Sequence, residues 1–309
     1  NVFIGCRAGC DMTSGFRNVF IGDSAGRSAS TGCLNIAIGC DAMAAGVLTG
    51  VNNIALGCMA GRKVTSGNNN TFMGQYAGGN LTTGCSNFIA GLSAGGSGTI
   101  TGTHNILLGD CSGKVLTSGT NNVFLGRTTG RCVSSTSNNV HIGNMAGRYS
   151  EGGYNILFGK CAGYGVDGGT NNASANVFIG EDAGKVIDTG CDNLGLGAGS
   201  GSSLTSGGCN TLVGHRSGCL ITTGGWNVVI GRLTQPPILT GSYQLAIGSG
   251  IGNNWIVGNS DFNVGIGTTN PNAPVGVGNT AKLSVGIVSA YQLYGDGSNL
   301  SGLAGFSPD

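Results

Sequence analysis

Charge is what this chain most lacks. Of its 309 residues, 14 are Lys or Arg and 13 are Asp or Glu, 9% in all, for a formal net charge of +1. Gripping nucleic acid by phosphate neutralisation needs a basic face, so nucleic acid is not an expected partner. Aromatic residues make up 6% and proline only 5 residues. No apolar run reaches the length of about 18 residues that a membrane-crossing helix needs, so insertion into a membrane is not expected. No signal peptide is visible. The 12 cysteines include no Cys-x-x-Cys pair, so neither a zinc site nor a dithiol redox motif is indicated. Small half-buried thiols in a reducing cytosol are the expectation. Cys40 and Cys58, which share a column on adjacent repeats, are the one pair placed to bond.

Glycine and repetition are what the chain has. The pentapeptide NVFIG at residues 1–5 returns at 18–22, and its leading Asn recurs at Asn1, Asn18, Asn35, Asn53, Asn70, Asn87, Asn105, Asn122, Asn139, Asn155, Asn176, Asn193, Asn210 and Asn227, with Gln244 in the fifteenth place. The steps are 17 residues, with 18 twice, 16 once and 21 once. A fixed period of this size marks a solenoid. Counting offsets from each Asn, Gly fills offset 4 in all fifteen units, offset 8 in thirteen and offset 14 in twelve. These columns read as corners, where Gly turns through positive φ without steric cost.

Offset 3 is apolar in all fifteen units and offset 1 in thirteen, with Thr71 and Thr211 the exceptions. Residues two apart on a strand share a face, so offsets 1 and 3 are expected to form one buried row. Offset 11 supplies a second wall (Met12, Val64, Leu81, Leu116, Val133, Val166, Ile187, Leu204, Ile221, Ile238, Trp255), and offset 7 is small. The coil therefore reads as strand, double corner, strand, corner. Fifteen coils stacked about 4.8 Å apart make a rod of roughly 70 Å, along which the Asn amides can form a hydrogen-bonded ladder. The expected fold is all-β: a parallel β-solenoid over residues 1–258, then a connector of short strands and turns over 259–309. The extra length of the 21-residue unit, at 163–175, is expected to bulge without disturbing the core.

Offset 2 should be polar if it met water, yet thirteen of its fifteen residues are apolar. A strand apolar on both faces is buried on both. The simplest cover for a rod is its own copies about a common axis. Phe3, Phe20, Phe72, Phe124 and Phe178 are therefore expected at a chain–chain interface, with the isolated monomer poorly soluble or unfolded.

Catalytic groups do not assemble from the columns. His104, His141 and His215 lie on different offsets several coils apart, so no metal cluster or triad is indicated. Gly195, Gly197, Gly199 and Gly201 imitate a phosphate loop, but two are corner glycines and no helix follows, so no cofactor is expected. Glu181, Asp182, Asp188 and Asp192 could pair as a glycan-hydrolysing site. Surface ion pairing is the favoured role, as in Asp23 with Arg27, Asp110 with Lys114 and Glu181 with Lys185. Offset 9 carries Arg27, Arg62, Lys114, Arg131, Arg148 and Lys185, a partial basic stripe that could grip an anionic polysaccharide. Thr and Ser before the third corner, as in Thr65, Ser66, Thr82 and Thr83, raise ice binding as a further reading.

Units of the form N-[VI]-x-[IL]-G-x-x-A-G-x-x-x-T-S-G resemble the head repeats of trimeric autotransporter adhesins, whose repeat is shorter. They resemble more closely the repeat arrays in tail fibres of marine bacteriophages, over about residues 1–258. The segments NVGIGTTNP at 263–271 and AKLSVGIVSAYQLYGDGSNLSGL at 281–303 are similar to the connector near the C-terminal regions of phage tail-fibre proteins, especially those of cyanophages. In the second, Leu283, Val285 and Ile287 alternate as a strand and Gly295–Ser298 reads as a turn. The resemblance implies a non-enzymatic homotrimer in a virion tail fibre. It would be assembled in the host cytoplasm with other tail proteins, and would act as a spacer and in attachment to host surface glycan. A bacterial cell-surface adhesin is the alternative.

Overall fold

The computed structural model describes residues 1–261 and 263–266. The chain winds as a parallel β-solenoid. Fourteen three-residue strands, from β1 (Val2–Ile4) and β2 (Val19–Ile21) to β14 (Val228–Ile230), are followed by β15 (Leu245–Gly248), and each pairs in parallel with the next. Fifteen successive parallel strands make about fourteen turns. The register is one unit per coil: Val2 opposes Val19, Phe3 opposes Phe20, Ile4 opposes Ile21. It survives the 21-residue unit, because β10 (Ile156–Phe158) pairs with β11 (Val177–Ile179) through Ile156 and Val177. The extra residues close on themselves, the Asn171 side chain accepting from the Val166 N–H and donating to its carbonyl. Among the described residues there is no helix.

Each coil has one strand, not two. Its far side, near offset 11, is stacked by backbone hydrogen bonds such as Thr65 N–H to the Thr82 carbonyl (3.0 Å). It reaches bridge geometry only between Ala29 and Leu48 and between Leu81 and Ile100. Leu48 and Ile100 belong to the 18-residue units. In both, the added residue lets an apolar side chain replace Gly46 or Gly98 on that wall.

The strand is turned the opposite way from the expectation. Offset 2 points into the coil: Phe20, Ala37, Ala55, Phe72, Ile89, Leu107, Phe124, Phe178, Leu212, Val229 and Ala246 are fully buried. The interior is closed by the small column at offset 7 (Ala25, Ala60, Ala77, Ala94) and by Val64, Leu81, Leu116, Val133, Leu204 and Ile221. Phe20, Phe72, Phe124 and Phe178 are thus core residues and not a chain–chain interface. Phe3, in the first coil, is exposed but stacks on Phe20 in the same column, ring centroids 5.3 Å apart. Offsets 1 and 3 face outward. Both faces of the strand are apolar, so alternation could not orient it. The glycine column does. At Gly26 or Gly61 a β-carbon would overlap the ring of Phe20 or Phe72, so offset 8 leaves room for an inward offset 2.

The three glycine columns have two different causes. Gly22 (φ 132°) and Gly26 (φ 57°) stand in the left-handed half of φ/ψ space, as corners require. Offset 14 does not. A β-carbon on Gly67 would overlap the Gly84 carbonyl of the next coil, so this column is glycine because backbones approach closely there. Two further left-handed corners per coil carry ordinary side chains: offset 6, as Ser24 (φ 57°) and Tyr76 (φ 63°), and offset 16, as Asn69 (φ 58°) and Trp226 (φ 53°).

The Asn ladder is present and buried. Asn53 donates from its side chain to the Gly67 carbonyl at the end of its own coil (2.8 Å) and to Oδ1 of Asn35 (3.1 Å). Its own Oδ1 accepts from the backbone and side-chain N–H of Asn70, both 3.0 Å. Each amide therefore closes one coil and binds the next. Gln244 continues the ladder onto Asn227 (3.0 Å). The parallel winding stops there. β16 (Asn254–Gly258) returns antiparallel against β15, and β17 (Val264–Ile266) pairs antiparallel with β16. Ile238 and Trp255 consequently lie exposed rather than on the offset-11 wall. The expected strand at Leu283–Ile287 and the turn at Gly295–Ser298 lie outside the described residues.

Candidate functional surfaces

The outward face of β1–β15 is a continuous strip of two apolar columns. Val2, Ile4, Ile38, Met73, Phe88, Ile106, Ile156, Phe158, Ile179, Val228 and Ile230 are exposed along it, Phe158 by 53%. The remaining side chains of both columns are half-buried by their neighbours. At about 4.8 Å per rung and roughly 10 Å across two columns, the strip covers some 700 Å². Soluble monomers rarely expose a contiguous apolar patch larger than a few hundred Å².

The basic stripe is real but discontinuous. All six cations of offset 9 are half-buried at the corner edge. Lys114, Arg131 and Arg148 occupy consecutive coils, whereas Arg27, Arg62 and Lys185 stand apart. Arg148 sits 5.4 Å from the centre of the Tyr149 ring and 5.8 Å from that of Tyr164. Those rings meet edge-on at 5.3 Å. Lys185 is taken by Asp182 at 3.3 Å.

The carboxylates are engaged structurally. Of the corner-spanning ion pairs expected from sequence, Lys185 pairs across its corner with Asp182 in place of Glu181. The other two ion pairs among the described residues join stacked coils: Arg7 with Asp23 (3.6 Å) and Lys160 with Glu181 (2.8 Å). The Lys160 ammonium, by hydrogen bond and by charge, holds the Glu181 carboxyl below its ordinary value. A glycosidic general acid needs the opposite shift. Asp188 accepts from the Thr170 hydroxyl (2.9 Å) and the Asn171 N–H (2.6 Å), fastening the long unit. The hydroxyls of Thr65, Thr117 and Thr205 donate to carbonyls of the next coil at 3.1, 2.8 and 3.1 Å, so they are turned to the ladder rather than to an outer water layer.

His141 is the polar anomaly of the core. It occupies offset 2 and is completely buried, its ring stacked on Phe124 at 4.8 Å and 15°. Neither ring nitrogen has a hydrogen-bond partner. Burial pushes its pKa down to about 3, so the imidazole is neutral. His104 and His215 are exposed. All twelve cysteines are free thiols, with Cys40 and Cys58 stacked on adjacent coils. Among the described residues no cluster of three or more His, Cys, Asp or Glu side chains is gathered as a metal ion would need. Comparison with protein-family models, with curated proteins and with solved structures gives no match.

Proposed function

We propose that the chain is a self-assembling shaft segment of an attachment fibre, three copies packing side by side through the outward strip of offsets 1 and 3. The strip itself carries this reading. It is two columns wide, apolar over fifteen rungs and repeats with the coil. A second copy of the rod offers the same length and the same repeat, so every rung finds an apolar counterpart. Its area, roughly 700 Å² per chain, is shared between two neighbours in a trimer, about half at each contact, so that the closed ring and not one contact reaches the ~800 Å² per partner typical of stable interfaces. Two columns suit a closed trimer, in which one column meets each neighbour.

A shaft of this kind is a non-enzymatic spacer. We take the phage tail fibre over the cell-surface trimeric adhesin because residues 263–271 and 281–303 resemble a phage connector. A gene neighbourhood of baseplate and tail genes would favour the fibre; a secretion signal with a membrane anchor would favour the adhesin. Ice binding has less support, because the hydroxyls of Thr65, Thr117 and Thr205 already serve neighbouring carbonyls.

Changing Phe158 and Ile230 to Lys places charges on the strip without entering the coil. The unaltered chain should sediment as a trimer. The double variant should sediment as a folded monomer with an unchanged far-UV circular dichroism spectrum. A wild-type chain that runs as a stable, soluble monomer, or a variant that still assembles, would refute the reading.

A further inference from the structure

The corner at offset 16 is polar along much of the rod: Asn69, Ser86, Asn121, Asn138 and Asp192 stand there, all at positive φ. The last two coils depart from this. Trp226 and Tyr243 occupy the corner, their rings stacked at 5.1 Å and 8°. Both are more than half exposed, 55% and 53%. Among the described residues no further coil continues this stack. After β15 the chain reverses into β16 and β17, and the turn that begins at Asn259 lies beside Tyr243 instead. Between ring and turn is a groove of about 310 Å³, lined by Trp226, Tyr243, Leu245, Asn259, Asn263 and Val264, with Gln244 and Gly258 behind.

Its walls are held in place. Gln244 accepts from the Ile238 N–H (2.8 Å) and donates to the Ile238 carbonyl (2.7 Å). Oδ1 of Asn259 accepts the N–H groups of Asp261 (3.1 Å) and Asn263 (3.0 Å). Among the described residues no charged side chain lines the groove. An anion would find no cation there, and an ammonium would find no carboxylate. A ring with one flat C–H face and hydroxyls around its edge matches the aromatic wall and the amide-bearing turn together. The volume lies at the small end of ligand pockets, about 300–1,000 Å³.

We propose that this groove binds an uncharged saccharide, one or two pyranose units with a sugar face laid on the Trp226–Tyr243 stack. The site is distinct from the basic edge at Lys114, Arg131 and Arg148, which would take an acidic chain. The proposal rests on the attachment reading above for its purpose only, since the contact needs one copy of the chain.

The test uses the full chain. Trp226 and Trp255 are its two tryptophans, and Trp255 is largely exposed, so Trp255→Phe leaves Trp226 as the only fluorescent indole. Methyl glucoside, methyl galactoside, methyl mannoside, N-acetylglucosamine and their disaccharides are titrated, with glucuronate as the charged control. At least one neutral sugar should shift the emission saturably. Tyr243→Asn keeps a residue suited to the left-handed corner and should weaken that sugar about tenfold, the upper end of what one aromatic contact contributes. Trp226→Asn, followed by calorimetry, should do the same. Absence of any neutral-sugar response overturns the proposal. So does binding indifferent to Tyr243→Asn, or a response to glucuronate alone that Arg148→Gln abolishes. Sedimentation of the same samples reports assembly separately: sugar binding lost with the trimer intact removes the groove, and the reverse removes the shaft.

Discussion

The inner and outer faces of the same strands are nearly equal in hydrophobicity and opposite in fate. Phe124 lies fully buried in the coil; Phe158, one residue past an inward Leu157, stands 53% exposed. What separates the faces is variation in size. The inner column runs from Gly195 to Phe178, and several of its changes are compensated: a β-carbon on Gly195 would overlap the Phe178 ring of the neighbouring coil. Phe20 faces a wall with Ala29, Ala37 one with Leu48, and His141 one with Ser150. A close-packed interior of fixed volume imposes such compensation. The outer columns are mostly Val, Ile and Leu with no compensating partner in the chain. A core column is corrected by other columns of its own coil, whereas a docking strip is uniform because its counterpart lies on another molecule.

The sharpest way to break that comparison is a charge on the inner face. Phe124→Asp removes a buried ring and places a carboxylate against His141 in the closed coil. A buried Phe reduced to a small side chain costs about 3–5 kcal/mol, and the unpaired charge adds to it. Denaturant titration and circular dichroism should show the central coils unwound even in dilute protein. A Phe124→Asp chain that keeps wild-type structure and loses only its oligomeric state would reverse the assignment of the two faces.

The next largest effect is expected from pH. His141 in the unfolded chain takes up a proton near its ordinary value of 6.5, whereas the folded ring stays neutral until about pH 3. Between those values the unfolded state binds the additional proton. Stability should therefore fall as pH drops through this window, by about 1.4 kcal/mol per unit while only this group titrates. Phe in its place would extend the ring stack from Phe124 and remove two unpartnered nitrogens. His141→Phe should flatten the acid limb of the stability profile and leave stability at pH 7 equal or higher. An unchanged acid limb would mean that His141 is not enclosed as described.

Much of this molecule was legible in its sequence. The Asn period, the parallel register, the bulging 21-residue unit and the amide ladder all follow from columns that repeat. Strand orientation did not follow, because period-2 alternation identifies two faces and only polarity assigns them. The left-handed corners at offsets 6 and 16 were hidden because Arg, Ser, Tyr, Leu and Trp occupy them and glycine does not. Offset 14 was misread for the converse reason: glycine there answers to a neighbouring carbonyl rather than to φ. Ion pairs were drawn along the chain, whereas Arg7 with Asp23 and Lys160 with Glu181 pair across coils and only Lys185 with Asp182 pairs along it among the described residues. The Trp226–Tyr243 groove depends on where winding stops, and no repeat column records that.

The smallest expected effect gives the finest test of the outer face. Thr71 and Thr211 are the two hydroxyl-bearing residues in the otherwise apolar offset-1 column, and both are half-buried in the single chain. Valine has the same shape, so neither substitution disturbs the coil. If the strip faces water, Thr71→Val and Thr211→Val should leave thermal stability unchanged at every concentration. If copies of the chain cover the strip, each hydroxyl is desolvated on assembly, and exchanging it for a methyl removes a cost of about 1–3 kcal/mol where no partner accepts it. The double variant should then melt a few degrees higher at concentrations where the chain is assembled. It should melt with the wild type where dilution, or the Phe158→Lys and Ile230→Lys pair, has separated the copies. Equal melting in both regimes would leave the strip exposed and the shaft without its interface.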